Sequence, residues 1–147
     1  MTAAELIERL RLEPHPEGGW YRRTWVGAAE EGQRASGSAI YYLLTSADVS
    51  LRHRVDATEI WHYYCGAPIE LRIGTPDGPD EVHVLGPDID QGQDPQILVP
   101  RGEWQQARSL GRFTLVGCTV SPAFQFSGFE LAEPTQAPGP SRAGRQG

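Results

Sequence analysis

The run His53-Arg54-Val55-Asp56-Ala57-Thr58-Glu59-Ile60-Trp61-His62-Tyr63-Tyr64-Cys65-Gly66 decides how this chain folds. It joins one alternating apolar segment, SLRHRV (50–55), to another, EIWHYYCG (59–66), through a short turn at 56–58. Alternation rich in β-branched and aromatic residues, punctuated by turn residues, is the pattern of strands. Strand side chains point alternately to the two faces, so Glu59, Trp61 and Tyr63 share one face and His62 takes the other. His53 and Glu59 are expected to face each other across the turn, either as reactive groups or as a hydrogen bond that merely closes a hairpin.

The pattern continues in both directions. Upstream lie a strand from about Trp20 to Val26, a polar loop at 27–37 and the strand SAIYYLLT (38–45). Downstream come IELRIG (69–74), EVHVLG (81–86), QILVP (96–100), WQQARS (104–109), FTLVGCTV (113–120) and FQFSGFEL (124–131). No helix is expected between 38 and 131. Short strands separated by Gly, Pro and Asp turns predict an antiparallel sandwich or barrel. Only the opening MTAAELIERLRL reads as a helix: Thr2 and Glu5 have capping-box spacing, and Leu6, Ile7 and Leu10 make an apolar face. Pro14 and Pro16 are expected to stop it. One domain is expected over 1–132, and the Pro- and Gly-rich EPTQAPGPSRAGRQG (133–147) is expected to be disordered.

Composition removes several functions. The chain has 147 residues, a formal net charge of -6 and 13 basic residues, every one of them Arg. Without a basic run, nucleic acid is not an expected partner, because phosphate backbones demand clustered positive charge. Without Lys there is no P-loop or Schiff-base lysine. Cys65 and Cys118 lie far apart in strand-like segments and are expected to be reduced and buried. No apolar run approaches the ~18 residues of a membrane span, and no signal peptide is evident, so the expected location is the cytoplasm.

The candidate chemistry is imidazole, carboxylate and arginine. His53, Glu59 and His62 lie within ten residues and could bind a metal or move protons, though strand parity separates His62 from the other two unless a bulge intervenes. Trp61 and Tyr63 beside Glu59, and Trp104 beside Gln105, suggest a pocket for a small polar molecule. His15 and Glu17 sit in a stiff Pro- and Gly-bounded loop, where Gly18 and Gly19 suit positive φ or a close approach. One of Arg22 and Arg23 must face inward if their strand joins the barrel, and a buried Arg requires a carboxylate or an anionic ligand.

These motifs resemble a known family. His53, Val55, Glu59 and Gly66 have the spacing of the first cupin motif, with Val55 where the pattern has its second histidine. Pro100, Gly102, Gln105 and Ser109 have the spacing of the second, with Gln105 in place of its histidine and Ser109 in place of its asparagine. LEPHPEGGWYRRT (12–24), AIYYLL (39–44), HRVDATEIWHYYCG (53–66), VPRGEWQ (99–105) and LVGCTVSPAF (115–124) resemble, in order, the cupin-5 group, a domain of unknown function. The resemblance implies an all-β double-stranded β-helix barrel, an RmlC-like jelly roll that is usually dimeric. It also implies a fold shared with sugar-nucleotide 3,5-epimerases and germin-like proteins. Metal cupins use three His and one Glu. Of that set only His53 and Glu59 remain, with Gln105 a weak third ligand and His62 a conceivable substitute, so no cofactor is expected.

Three functions fit. The first is a metal-independent epimerase or isomerase acting on a sugar-like or anionic metabolite. In it His53 is the base, oriented by Glu59, and Tyr63 the acid; Trp61 and Trp104 stack on the ligand, Arg22 holds its anionic group, and His15, Glu17 and Gln105 complete the pocket. The second is a non-catalytic metabolite-binding module built from the same residues. The third is a metal-dependent dioxygenase or isomerase using His53, Glu59, Gln105 and His62. A homodimer is expected as well, because AIYYLLT is apolar at both parities and one face then needs cover from beyond its own barrel.

Overall fold

The computed structural model describes residues 1–132, and the segment 133–147, expected above to be disordered, lies outside the described residues. Helix α1 (Ala3–Leu10) opens the chain. Thr2 and Glu5 form the expected capping box: Thr2 Oγ1 accepts the Glu5 N–H at 3.1 Å, and Glu5 Oε1 accepts the Thr2 N–H at 2.8 Å. The helix stops before the prolines are reached. Arg11 ends it in the left-handed conformation (φ 56), its N–H directed to the Glu8 and Ile7 carbonyls.

Eleven strands follow: β1 (Glu13–Pro14), β2 (Trp20–Val26), β3 (Ser38–Thr45), β4 (Val49–Val55), β5 (Thr58–Gly66), β6 (Ile69–Gly74), β7 (Glu81–Leu85), β8 (Gln96–Val99), β9 (Trp104–Ser109), β10 (Phe113–Ser121) and β11 (Phe129–Leu131). They form two antiparallel sheets, β1-β2-β3-β10-β5-β8 and β11-β4-β9-β6-β7, the arrangement of a jelly roll. The strand readings hold to within a residue or two, with three corrections. Residues 126–128 form a short 3-10 turn, so the expected last strand shrinks to β11. A second such turn covers Ile89–Gln91, where no helix was expected. The 56–58 turn does not make a hairpin: β4 and β5 belong to opposite sheets, and the turn carries the chain from one to the other.

Both sheets feed one core. Tyr42 and Leu44 of β3, Trp61 of β5, Leu71 of β6, Leu85 of β7 and Val116 of β10 interdigitate between the sheets, all at most 1% exposed. A second cluster lies outside the barrel, where Leu6 of α1 and Leu12 pack on Leu43 and Leu115. This corrects the argument made for a dimer. The outward apolar side of AIYYLLT is covered by the chain's own N-terminal helix. Cys118 is buried as expected, whereas Cys65 is exposed at the end of β5. Among the described residues no helix is long and apolar enough to cross a membrane.

Candidate active site

At one end of the barrel the inward side chains change from hydrocarbon to titratable groups. β4 supplies His53, β5 Glu59, β9 Gln105 and β10 Cys118, each on the inward parity of its strand and each buried. The 13–19 segment crosses this end and adds His15 and Glu17. It is fixed by the Leu51 N–H, which donates to the Glu17 carbonyl at 2.7 Å, and by the Gly18 N–H, which donates to the His15 carbonyl at 2.9 Å. Gly18 adopts φ 107, and a Cβ there would run into the Val49 carbonyl, so only glycine lets the segment lie this close to β4.

The centre of the cluster is His53. Its Nδ1 lies 2.7 Å from the Leu51 carbonyl, which can only accept, so Nδ1 carries a proton. Its Nε2 then faces Glu17 Oε1 at 3.4 Å. The Glu17 Oε2 atom meets Ser50 Oγ and, at 3.2 Å, the Tyr42 hydroxyl. The Tyr42 hydroxyl also reaches the Gly18 carbonyl at 2.5 Å, so its single proton serves two acceptors. Glu59 Oε1 accepts Gln105 Nε2 at 2.9 Å, and Gln105 Oε1 accepts Trp61 Nε1 at 2.8 Å.

Burial shifts every proton here. Desolvation pushes both Glu17 and Glu59 up to about 7, against the hydrogen bonds that favour their charged forms. For Glu59, His53 pulls downward and the Glu17 charge pushes upward. Desolvation lowers His53, opposed by the Glu59 charge and the Leu51 carbonyl. It also takes His15 down to about 4. His15 Nδ1 accepts the Glu17 backbone N–H at 3.0 Å, so its 3.6 Å approach to Glu17 Oε1 is not an ion pair at neutral pH. The result is an imidazole between two carboxyl groups, each poised to hold or release a proton near neutrality.

A cavity of about 460 Å³ opens onto this cluster. His15, Glu17, His53, Glu59 and Cys118 make its floor, while Ile40, Val55, Val120 and Phe124 contribute apolar wall. The exposed Arg11, Glu13, Arg23 and Phe126 make its rim. The Phe residues of the 124–129 segment stack edge to face, with Phe124 and Phe126 centroids 4.8 Å apart.

The structure thus brings together His15, Glu17, His53, Glu59 and Gln105. It places the other candidates elsewhere. Trp61 is 1% exposed, sealed in the core with its indole N–H committed to Gln105. Trp104 points away from Gln105 to the outer face of its sheet, beneath Arg54 at 4.7 Å. Tyr63 does not line the cavity, and its hydroxyl donates to the Gly66 carbonyl at 2.6 Å. It keeps its register opposite Val116 on the inward side of β5 but lies beyond Trp61, packed against the hydrophobic core rather than at the polar end. Arg22 borders the cavity, but its Nε donates to the Leu10 carbonyl at 2.6 Å and its guanidinium lies over Tyr41. His62 faces outward, with Nε2 3.0 Å from Thr119 Oγ1. Residue-by-residue reading missed Ser50, Tyr42, Cys118 and Arg11; the inward parity of β3 and β10 was the available signal for Tyr42 and Cys118, whereas Ser50 turns inward only through the register shift between it and His53.

A cupin-type metal does not fit this residue set. Val55 offers only hydrocarbon, and the carbonyl oxygen of Gln105 is occupied by the Trp61 indole while its amide serves Glu59. His62 points to the other face of the sheet. Among the described residues no group of three or more His, Cys, Asp or Glu is placed to hold a metal ion.

A jelly roll with its polar groups gathered inside one end defines the cupin class. Residues 4–132 match the family described as Cupin superfamily (DUF985), and the chain belongs to that family. Among solved structures it is similar to a hypothetical protein from Leishmania major, at 30% identity and a TM-score of 0.84, covering 92% of this chain and 90% of that one. It is also similar to a protein from Shewanella oneidensis, at 38% identity and a TM-score of 0.86, covering 90% and 85%. Oxalate decarboxylase from Bacillus subtilis matches at a TM-score of 0.61 with 10% identity over 80% of this chain and 29% of that one, a likeness of fold alone. No curated protein shows significant similarity to the chain.

Proposed function

We propose that the protein is a small-molecule enzyme of the isomerase or epimerase type, moving a proton next to a carbonyl without a metal. The observation that carries this reading is His53 Nε2 facing Glu17 Oε1 at 3.4 Å on the floor of the cavity, with Glu59 coupled to the same ring. Two carboxyl groups held near 7 are matched to acid and base work at neutral pH. The deprotonated partner of the cluster removes a proton from the carbon beside the carbonyl, and the C–H electron pair moves into the C=C bond of an enolate, leaving the negative charge on the former carbonyl oxygen. The protonated partner returns a proton to that carbon and the carbonyl re-forms, so the step is redox-neutral. Tyr63, off the cavity, takes no part; the acid is a carboxyl group or the imidazole.

The test is solvent exchange. Aldoses, ketoses and hydroxy acids that raise the melting temperature are incubated in deuterated water, and deuterium next to the carbonyl is read by NMR. The wild type is expected to exchange, and His53→Asn or Glu17→Gln is expected to lose about 100-fold or more of the rate. Binding without exchange, at an affinity constant between about pH 5 and 8, would instead support the non-catalytic module.

We further place the protein in the cytoplasm, on the strength of its two free thiols. A homodimer, implied by the family resemblance, would use the outer face of the six-stranded sheet. There Tyr64 is 50% and Leu98 54% exposed, and β8 is a free edge. Light scattering of the purified chain is expected to return twice the chain mass.

A further inference from the structure

Five of the chain's arginines, Arg34, Arg52, Arg54, Arg72 and Arg108, are in ion pairs with carboxylates. Arg11 and Arg23, on the cavity rim, have neither an ion pair nor a side-chain hydrogen bond among the described residues. The rim carboxylate, Glu13, pairs with neither. In a chain of net charge -6 this is a local positive spot at the entrance to an acidic floor.

The backbone of Arg11 adds an independent argument. It is the one non-glycine residue among those described with positive φ. That helix-ending position is filled with least strain by glycine. Here it carries a long cationic side chain on the rim instead. Arg23 reaches the same rim from β2, opposite Ile40, which lines the cavity wall. Strain retained beside a cavity points to a use for the strained residue.

We propose that Arg11 and Arg23 form an anion site at the rim, and that the substrate is a small organic anion held there by its phosphate or carboxylate group. The guanidinium fork suits both groups. The buried carboxyl groups of the floor repel a second negative charge, so the charged end of the molecule stays at the rim and its uncharged end enters. The proposal rests on the proton-transfer reading for what happens at the floor, but binding at the rim is measured without it.

The experiment is calorimetric titration at low salt, where exposed charges are least screened. One matched set is sorbitol phosphate, gluconate and sorbitol; the other is phenyl phosphate, benzoate and benzyl alcohol. In at least one set an anion is expected to bind about tenfold or more tightly than its neutral analogue. Preference for the phosphate or for the carboxylate identifies which group the site takes. The R11Q/R23Q double variant is expected to lose that preference while binding the neutral analogue as before. Arg11→Gly should melt no lower than the wild type and also lose much of the preference, which separates binding from folding. Equal affinity for neutral and anionic probes, no binding of either anion class, or a preference that survives R11Q/R23Q overturns the proposal. Anion preference without deuterium exchange keeps the rim site and removes proton transfer; exchange on neutral compounds without anion preference does the reverse.

Discussion

The two ends of the barrel interior are lined by the same strands and built from opposite materials. Along β10 the inward residues run from Val116 to Cys118, along β9 from Ala107 to Gln105, and along β5 from Trp61 to Glu59. One end is hydrocarbon, where Ile69, Leu71 and Leu85 are fully buried. The other buries two carboxyl groups and two imidazoles. Burial stabilises the first directly, at about 25 cal/mol per Å² of apolar surface. In the second it works against each charge, and the groups persist through pairing and protonation. Gln105 is the boundary, accepting from Trp61 on the apolar side and donating to Glu59 on the other. The fold is anchored at one end so that the other can hold an electrostatically unfavourable site.

The sharpest way to break this division is Leu71→Ala. It should cost about 2–5 kcal/mol in urea unfolding while leaving cavity binding intact in the folded fraction. A loss of binding at full folding would mean the two ends are not separable.

Glu17→Gln tests the polar end by pH. The Glu17 carboxyl titrates near 7 when folded and near 4.5 when not, so the folded chain holds the extra proton between those values. Stability from this group is present below 4.5 and is lost as pH rises to 7. His15 runs the other way: about 4 folded against 6.5, it loses stability as pH falls from 6.5 to 4. Glu17→Gln should therefore gain on the wild type as pH rises from 4.5 to 7, by up to about 3 kcal/mol in melting experiments. A pH-independent difference would remove Glu17 from the titrating cluster.

Gln105→Met leaves the Trp61 N–H and Glu59 without their partner. It should cost about 1–3 kcal/mol, shift the fluorescence of Trp61, and move the Glu59 titration further up as seen by NMR. Cys118→Ala is the mildest change. Loss of the thiol's bond to Glu59 should cost about 1 kcal/mol or less and nudge that carboxyl upward.

Local pattern carried most of the fold. Parity along 50–55 and 59–66 put His53, Glu59 and Trp61 inside, and the capping residues placed α1. What local pattern could not carry was distance along the chain. Glu17 meets His53 across 36 positions because of one backbone hydrogen bond to Leu51, which no periodicity announces. Parity also says nothing of depth along the barrel. Tyr63 shares the inward face of β5 with Glu59 but lies beyond Trp61 against the hydrophobic core, and the apolar outer side of β3 read as a dimer surface because the docking of α1 is not written in the strand itself. Adjacent on β9, Trp104 and Gln105 fall on opposite faces by parity, and which of the two faces held the pocket depended on the sheet's partner.

Strand β10 lies between β3 and β5, pairing with both along their full lengths. Its residues, Phe113–Ser121, are among the last of the described chain to leave the ribosome. Until they do, β3 and β5 each present an unpaired edge, with Tyr41, Leu43 and Trp61 uncovered between them. Closure of this sheet therefore waits on the synthesis of β10, and until then the nascent chain passes through a stage open to edge-to-edge aggregation. Chains truncated before Phe113 should need a chaperone to stay in solution, and slower translation through 113–121 should lower the yield of native protein.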